Sequence, residues 1–349
     1  MALQNSIIMP FTSTPAADDS ALRRRRGTAR VAFWLVILLG LVRSIPAGAA
    51  AADHPTPSRP SLVRIGIGPG IWQGVNRNDA SAAIKVWAKA ILNQGENVLE
   101  VETHIFETPE AMSDALKQGQ IDAVTMLSDD FLGLTPELQP ATVFIGTKAQ
   151  AFTENYVLLV QRNAGISEVA GLAGRKLVCQ SNARTSLALQ WFDTLLARQS
   201  MGPAEAVLGS LTKNDSPSKA VLQVFFHQAD ACLVTSNVFA LASELNPQLR
   251  KELKILAVSP AVVPALFFFP PGYTNTLRQQ MESAILSMRK TPAGIQVLTV
   301  FQSDGMVQCP LASLDGTRQL LAEYERVKNR PAAATPAGSM QSLNQNAPR

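Results

Sequence analysis

From residue 62 onward, apolar and polar positions alternate in two rhythms, one of period two and one of period 3.6, and the rhythms take turns along the chain. Residues 62–67 read as a strand ending in Gly68-Pro-Gly70. Ala80, Ala83, Ile84, Trp87 and Ile91 then recur at helical spacing to about Leu92, behind a cap at Asn78 or Asp79. Residues 97–103 predict a second strand, 109–118 a helix opened by Pro109, and 121–126 a third strand. Strand and helix alternating in this way predict an α/β fold, with mostly parallel sheets flanked by helices. Ligands of such sheets sit outside the carboxyl ends of the strands, which makes Trp72, Gln73 and Ser128 candidates by position.

The rhythm resumes with an apolar strand at 157–161, after Tyr156, and a second at 176–179. Between that strand and the apolar face formed by Leu187, Trp191, Phe192, Leu195 and Leu196 lies a polar loop with Ser181, Asn182, Arg184, Thr185 and Ser186. A helix is predicted to open near Thr185 and run to about Gln199. Its start leaves about four backbone N–H groups unpaired at the positive end of the helix dipole, and with Arg184 beside it the loop suits an oxyanion. Thr185 and Ser186 are also ordinary capping residues, and Arg184 is equally able to face solvent or pair with a carboxylate. The region from there to Asp215 reads as looser. A further strand is predicted at 253–258, an almost wholly apolar, buried stretch at 265–269, a helix with Leu277, Met281, Ala284, Ile285 and Met288 in register, and a last helix over 314–327.

A repeat sharpens this picture. Residues 108–131, moved forward by 108, fall on 216–239 without a gap and share six identities in 24: Pro109 with Pro217, Gln120 with Gln228, Asp122-Ala123 with Asp230-Ala231, Ser128 with Ser236 and Phe131 with Phe239. The identities fall at a helix start, a strand entry and the loop past the strand end. One helix–strand unit used twice implies two similar lobes with a cleft between them, and makes Ser128 and Ser236 matching candidates for ligand contact.

Composition changes the picture mainly at the termini. The net charge of +4 lies entirely in residues 1–49, where six arginines face two aspartates; the remainder carries 25 basic and 25 acidic residues. No basic stripe with interleaved aromatics exists, which argues against nucleic acid as a partner. A basic segment at 23–30, an apolar run at 31–42 and Ala47-Gly-Ala49 have the form of an export signal over residues 1–49, either cleaved or kept as an anchor. Residues 50–61 form a Pro-rich linker, and 331–349 have the composition of a disordered tail. Three cysteines (Cys179, Cys232, Cys309) make no disulfide framework and read as buried thiols, although Cys179 and Cys232 could pair after export. Three scattered histidines give no metal-ligand spacing, and neither a cofactor nor a catalytic triad is legible. Asp129-Asp130 reads as a solvated turn.

From Leu62 to about Val327 the chain resembles the phosphate, phosphite and phosphonate-binding solute receptors of ABC transporters. The resemblance is carried by the opening strand Val63-Arg-Ile-Gly-Ile-Gly68, by Gly119-Gln-Ile-Asp-Ala123, by Tyr156 before its strand, and by the run 166–178 leading to the polar loop. Arg184-Thr185-Ser186 stands where the family usually shows Ser-Thr-Ser. The resemblance implies a type II periplasmic-binding-protein fold, with lobe 1 formed by 62–153 and 260–330, lobe 2 by 154–259, and a hinge of two crossing strands. It implies a periplasmic, monomeric, non-enzymatic receptor that delivers a small anion to a permease. Candidate contacts are Trp72, Ser128, Tyr156, Arg184, Thr185, Ser186 and Ser236.

The departures bear on the ligand. Arg184 replaces the first serine of the pattern, Ser218 and Lys219 stand near the family's histidine, and Ser259-Pro-Ala-Val-Val263 lacks the acid that aminoalkylphosphonate binders place there. These imply an oxyanion without a cationic end. Two other readings stay open: a sensory or scaffold domain partnered with a membrane signalling protein, and a cofactor-precursor enzyme on the same fold.

Overall fold

The computed structural model describes residues 61–72, 75–92 and 99–329. The export signal, the linker up to residue 60, Gln73 and the tail lie outside the described residues. Lobe 1 opens with β1 (Ser61–Ile67), α1 (Arg77–Leu92), β2 (Leu99–Ile105), α2 (Pro109–Lys117), β3 (Ala123–Leu127), α3 (Ser128–Leu132) and β4 (Thr142–Thr147). Lobe 2 follows with β5 (Tyr156–Gln161), β6 (Lys176–Gln180), α4 (Ala188–Arg198), α5 (Ala204–Val207) and β7 (Ser210–Asn214). It closes with α6 (Pro217–Phe225), β8 (Ala231–Thr235), α7 (Ser236–Leu245), α8 (Pro247–Glu252) and β9 (Leu253–Val258). The chain then returns through β10 (Ala265–Phe268), α9 (Thr276–Leu286), α10 (Pro292–Val300), β11 (Gly305–Pro310) and α11 (Asp315–Lys328).

The first sheet has the order β11-β4-β10-β3-β1-β2 and the second β7-β6-β8-β5-β9. Both place the first strand of a β-α-β unit between the second and third, and both then add a strand that arrives from the other lobe. Parallel pairing is confined to β1 with β2 and β3, and to β6 with β7 and β8. The crossing strands β10 and β5 pair antiparallel with their neighbours, as does β11 with β4. The sheets are therefore mixed, more so than strand–helix alternation predicts: β10 and β5, entering from the other lobe, run against the strands wound within it, and β11 runs in the direction of β10.

Each sheet buries both faces. In lobe 1, Val63, Ile65 and Ile67 meet Ile84, Trp87, Ile285 and Leu298 on one side, while Val124, Met126, Val143 and Phe268 meet Met112, Leu116 and Phe131 on the other. In lobe 2, Leu158, Leu177, Cys179 and Leu233 lie under Trp191, Phe192 and Leu196 of α4, and the opposite face holds Leu159, Val178, Cys232 and Val234 under α6. Cys179 and Cys232 thus occupy opposite faces of one sheet, as the period-two alternation of strand side chains requires, and both are free thiols. Burial pushes the Cys179 thiol up to about 12.

The 108-residue offset holds in three dimensions. It carries α2 onto α6, β3 onto β8 and the start of α3 onto the start of α7. The aspartates of the repeat have one task. Asp122 accepts from the Arg64 backbone N–H at 2.9 Å and Asp230 from the Lys176 backbone N–H at 2.8 Å, fastening the third strand of each unit to the first. Even the left-handed residue after the helix recurs, as Gly119 (φ 64°) and His227 (φ 57°).

The two crossings lie side by side. Glu154 and Val262 exchange backbone hydrogen bonds (2.7 and 2.9 Å), Ser259 N–H donates to the Tyr156 carbonyl (2.9 Å), and Tyr156 N–H donates to Ser259 Oγ (2.7 Å). Helix α11 departs from the division of the chain, which assigns 260–330 to lobe 1. Leu320 joins the core of lobe 2 and Arg198 of α4 pairs with Glu323, while Thr317 Oγ1 keeps the helix tied to lobe 1 by accepting from Val263 N–H at 2.9 Å. Among the described residues no helix is long and apolar enough to cross a membrane.

Candidate functional site

The loop after β6 forms a 3₁₀ turn, Ala183–Thr185, before α4 begins at Ala188. Asn182 and Thr185 cap this turn reciprocally. Asn182 Oδ1 accepts from Arg184 N–H (3.0 Å), Thr185 Oγ1 accepts from Asn182 N–H (3.2 Å), and the Thr185 hydroxyl donates to the Gln180 carbonyl (2.8 Å). Thr185 is buried, and this hydroxyl shapes the loop from within. Tyr156 lies beneath, fully buried, with its hydroxyl donating to the Arg184 carbonyl (3.1 Å); burial raises its pKa well above the ordinary value. Loop and crossing strand are thus one unit.

Arg184 leaves this loop toward lobe 1. Its Nε donates to the Gln302 carbonyl (3.1 Å), one terminal nitrogen to Ser303 Oγ (3.0 Å), and the other pairs with the Glu154 carboxylate. Gln302 adopts a left-handed conformation (φ 53°) just past the end of α10, where the last carbonyls of a helix attract a cation. Asn182 Nδ2 donates to Gln302 Oε1 at 3.2 Å, a second link between the lobes. Burial pushes the Glu154 carboxyl up and Arg184 opposes that shift. A guanidinium has five N–H donors, of which three are engaged here.

Ser186 and Ser128 meet at one acceptor. The Ser128 backbone N–H (3.0 Å) and the Ser186 hydroxyl (3.4 Å) both donate to the Pro264 carbonyl, just before β10. Ser236 repeats this in lobe 2, its N–H donating to the Asn155 carbonyl (2.7 Å) just before β5. The matching serines thus start the helices that follow β3 and β8, each anchored to a crossing. Ser128 is fully buried and its Oγ has no partner among the described residues. Trp72 belongs to the lobe 1 core, buried, with Nε1 likewise without a partner among the described residues. Ser128, Tyr156, Arg184, Thr185 and Ser186 are brought together around the loop and Pro264, Ser236 stands at the other crossing, and Trp72 sits apart.

Asp129 and Asp130 occupy the first turn of α3. They are not a freely solvated turn: Asp129 Oδ2 accepts from Gln190 Nε2 of α4 (3.4 Å), and burial, with Asp129 and Glu110 nearby, pushes Asp130 up to about 7. Glu154, Gln302 and Ser303 join this candidate site through Arg184 although nothing in the local sequence marks them.

Two cavities flank Arg184. One, of about 390 Å³, has charged walls: Lys148, Glu154 and Asp304 beside Ser218, Thr235 and Asn237. Lys148 pairs with Asp304 (2.8 Å) and holds that carboxyl below its ordinary range. The other, of about 160 Å³, lies between the first sheet and α1, α9 and α10, with apolar walls. Among the described residues no group of three or more His, Cys, Asp or Glu could hold a metal ion.

The family model described as ABC transporter, phosphonate, periplasmic substrate-binding protein matches residues 88–311. Among solved structures, a Xanthomonas citri protein bound to ATP is similar at 15% identity, covering 77% of this chain and 98% of that one with a TM-score of 0.53. A binding protein component of an ABC phosphonate transporter from Pseudomonas aeruginosa shows 12% identity, with 77% and 88% covered and a TM-score of 0.51. The methylphosphonate complex of PhnD1 from Prochlorococcus marinus shows 14% identity, with 77% and 100% covered and a TM-score of 0.51. These likenesses establish the two-lobed type II periplasmic-binding-protein fold. No curated protein matches by sequence. With its family match spanning well over half of its length, the chain belongs to the periplasmic substrate-binding proteins of phosphonate ABC transporters.

Proposed function

We propose that this solute-binding receptor captures an oxyanion without a cationic end, held between the lobes at the loop 181–186, and delivers it to a membrane permease. The observation that carries the reading is the position of Arg184. It projects from the start of the lobe 2 loop, reaches lobe 1 at Gln302 and Ser303, borders both cavities, and keeps two N–H donors for a ligand. Ser128, Ser186 and Ser236, anchored at the two crossings, are further contacts, whereas Trp72 belongs to the lobe 1 core. Closure is a rotation about the paired crossings near 153–157 and 259–265, favoured by whatever the ligand gains from touching both lobes.

The protein acts as a monomer in the periplasm and not as an enzyme. The buried Cys179 and Cys232 thiols, raised by burial, are no nucleophiles, and Tyr156 braces the loop rather than exchanging a proton. A thermal-shift screen of the purified protein against phosphate, phosphite, methylphosphonate, ethanesulfonate and 2-aminoethylphosphonate tests this. Ligand at a hundredfold excess over Kd stabilises by about 2.7 kcal/mol. The expected result is a shift with one or more of the first four and none with the aminated compound. No shift with any of them would refute the proposal.

A further inference from the structure

The apolar cavity of lobe 1 has a property that a receptor for the smallest oxyanions does not need. Interiors pack to near-crystalline density, and voids larger than a water molecule are few. Here a cavity of about 160 Å³ lies between the first sheet and three helices, walled by Ile71, Ile84, Trp87, Phe144, Phe267 and Val297. A cavity of roughly 150 Å³ with such walls stays dry and admits a benzene molecule.

Its mouth is as particular as its walls. Lobe 2 contributes only Asn182, Ala183 and Arg184 to the lining, so the anion loop is the one part of that lobe that borders the cavity. Arg184 is the one charged residue among the described lining residues; its partner Glu154 borders only the larger cavity, which mixes Lys148 and Arg184 with Glu154 and Asp304. On the lobe 1 side, Asp129 and Asp130 occupy the start of α3 and disfavour an anionic group at that helix. Charge therefore sets a direction: the anionic head belongs at Arg184 and Asn182, and what points into lobe 1 must be uncharged and apolar.

We infer that the ligand is an oxyanion bearing an apolar substituent of roughly six carbons, such as an alkyl- or arylphosphonate, with the substituent seated in the lobe 1 cavity. This rests on the reading of the protein as an oxyanion receptor and adds the chemical class of the ligand. Recognition divides between the lobes: the loop after β6 reads the charge, and the space under β1 and β10 reads the length of the tail. The smallest phosphonates leave the cavity empty and bind weakly.

The test is a calorimetric titration of the purified protein with methyl-, butyl-, hexyl- and octylphosphonate, on the wild type and on two cavity-filling variants, Val297→Phe and Ile285→Phe. Both residues line the cavity, and neither touches the loop hydrogen bonds. Unfolding curves of both variants establish that they fold, and either one alone suffices for the comparison. Burying a methylene gives up to about fourfold in affinity. The expected result is a gain of at least about tenfold from methyl to hexyl, levelling off by octyl as the cavity fills. The gain is lost in the filled variant while methylphosphonate affinity stays within about twofold. Measurable but equal affinities across the series would overturn the inference and leave the oxyanion receptor standing. A gain that persists in the filled variant would also overturn it, placing the tail elsewhere. Failure of every member to bind would overturn both.

Discussion

Replacing Glu154 by glutamine separates the two tasks of Arg184, joining the lobes and binding an anion. The Glu154 and Arg184 side chains are 6% and 16% exposed, so their pairing takes place largely out of water. Removing one partner of a buried pair outright costs about 3–5 kcal/mol. Glutamine keeps an acceptor, and the Gln302 carbonyl, Ser303 Oγ and the end of α10 still face the guanidinium. The cost to the unliganded protein therefore falls to about 1–3 kcal/mol. The same change removes a negative charge from beside the anion. At a separation of roughly 5 Å and an effective dielectric of about 20, that repulsion is about 3 kcal/mol. Even with half of it screened, affinity for methylphosphonate rises by about tenfold. The assay is thermal unfolding with and without methylphosphonate, alongside calorimetry. A lower melting temperature without ligand combined with tighter binding is expected. A variant as stable as the wild type that binds no more tightly would refute the reasoning, and weaker binding would mean that Glu154 itself contacts a cationic ligand group.

Three further outcomes follow from the same hydrogen bonds and burial. Asp122→Ala lowers stability by about 2–3 kcal/mol, since it strips a partly buried Arg64 of three bonds, whereas Asp230→Ala in its more exposed setting costs about 1 kcal/mol; urea titration compares them. Asp130 releases its proton near pH 7 in the folded chain but near 3.8 when unfolded, so the folded state binds the extra proton between those values and stability falls as pH rises through them. Asp130→Asn therefore raises stability by about 2 kcal/mol at pH 8, less than the full shift corresponds to because the group is partly exposed, and the gain vanishes below about pH 4. Cys179 and Cys232 stay unreactive toward a thiol reagent in the native protein and react on denaturation, and non-reducing gels show no intramolecular disulfide.

What the sequence discloses of this fold is what short-range pattern can carry. Leu187, Trp191, Phe192 and Leu196 announce the buried face of α4, and the repeated Asp122 and Asp230 announce two copies of one unit. The strand β7, Ser-Leu-Thr-Lys-Asn, is an edge strand exposed at most positions, so its period-two signal is faint and the stretch reads as loose. β11, Gly-Met-Val-Gln-Cys-Pro, at an edge of the first sheet, shows no clean alternation and ends in a proline, and β4 and α10 escape notice between stronger neighbours. At the site, the local members Asn182, Arg184 and Thr185 are visible because a strand, a polar loop and a helix succeed one another. Their partners are not. Glu154, Gln302 and Ser303 stand 30, 118 and 119 residues from Arg184, and only the folded chain shows that its guanidinium is held by a carboxylate and a helix end. The helix start is also displaced, since the Asn182–Thr185 capping box closes a 3₁₀ turn before α4 begins.

The account depends most on an anion meeting Arg184 between the lobes. Calorimetric titration with hexylphosphonate, comparing the Glu154→Gln protein with the Glu154→Gln, Arg184→Gln double variant, addresses this directly, because removing both partners of a buried pair leaves no orphaned charge to unfold the chain. The prediction is saturable binding in the first and affinity lower by about a hundredfold in the second, the equivalent of one lost charge-assisted contact. Equal affinity in the two proteins would contradict it.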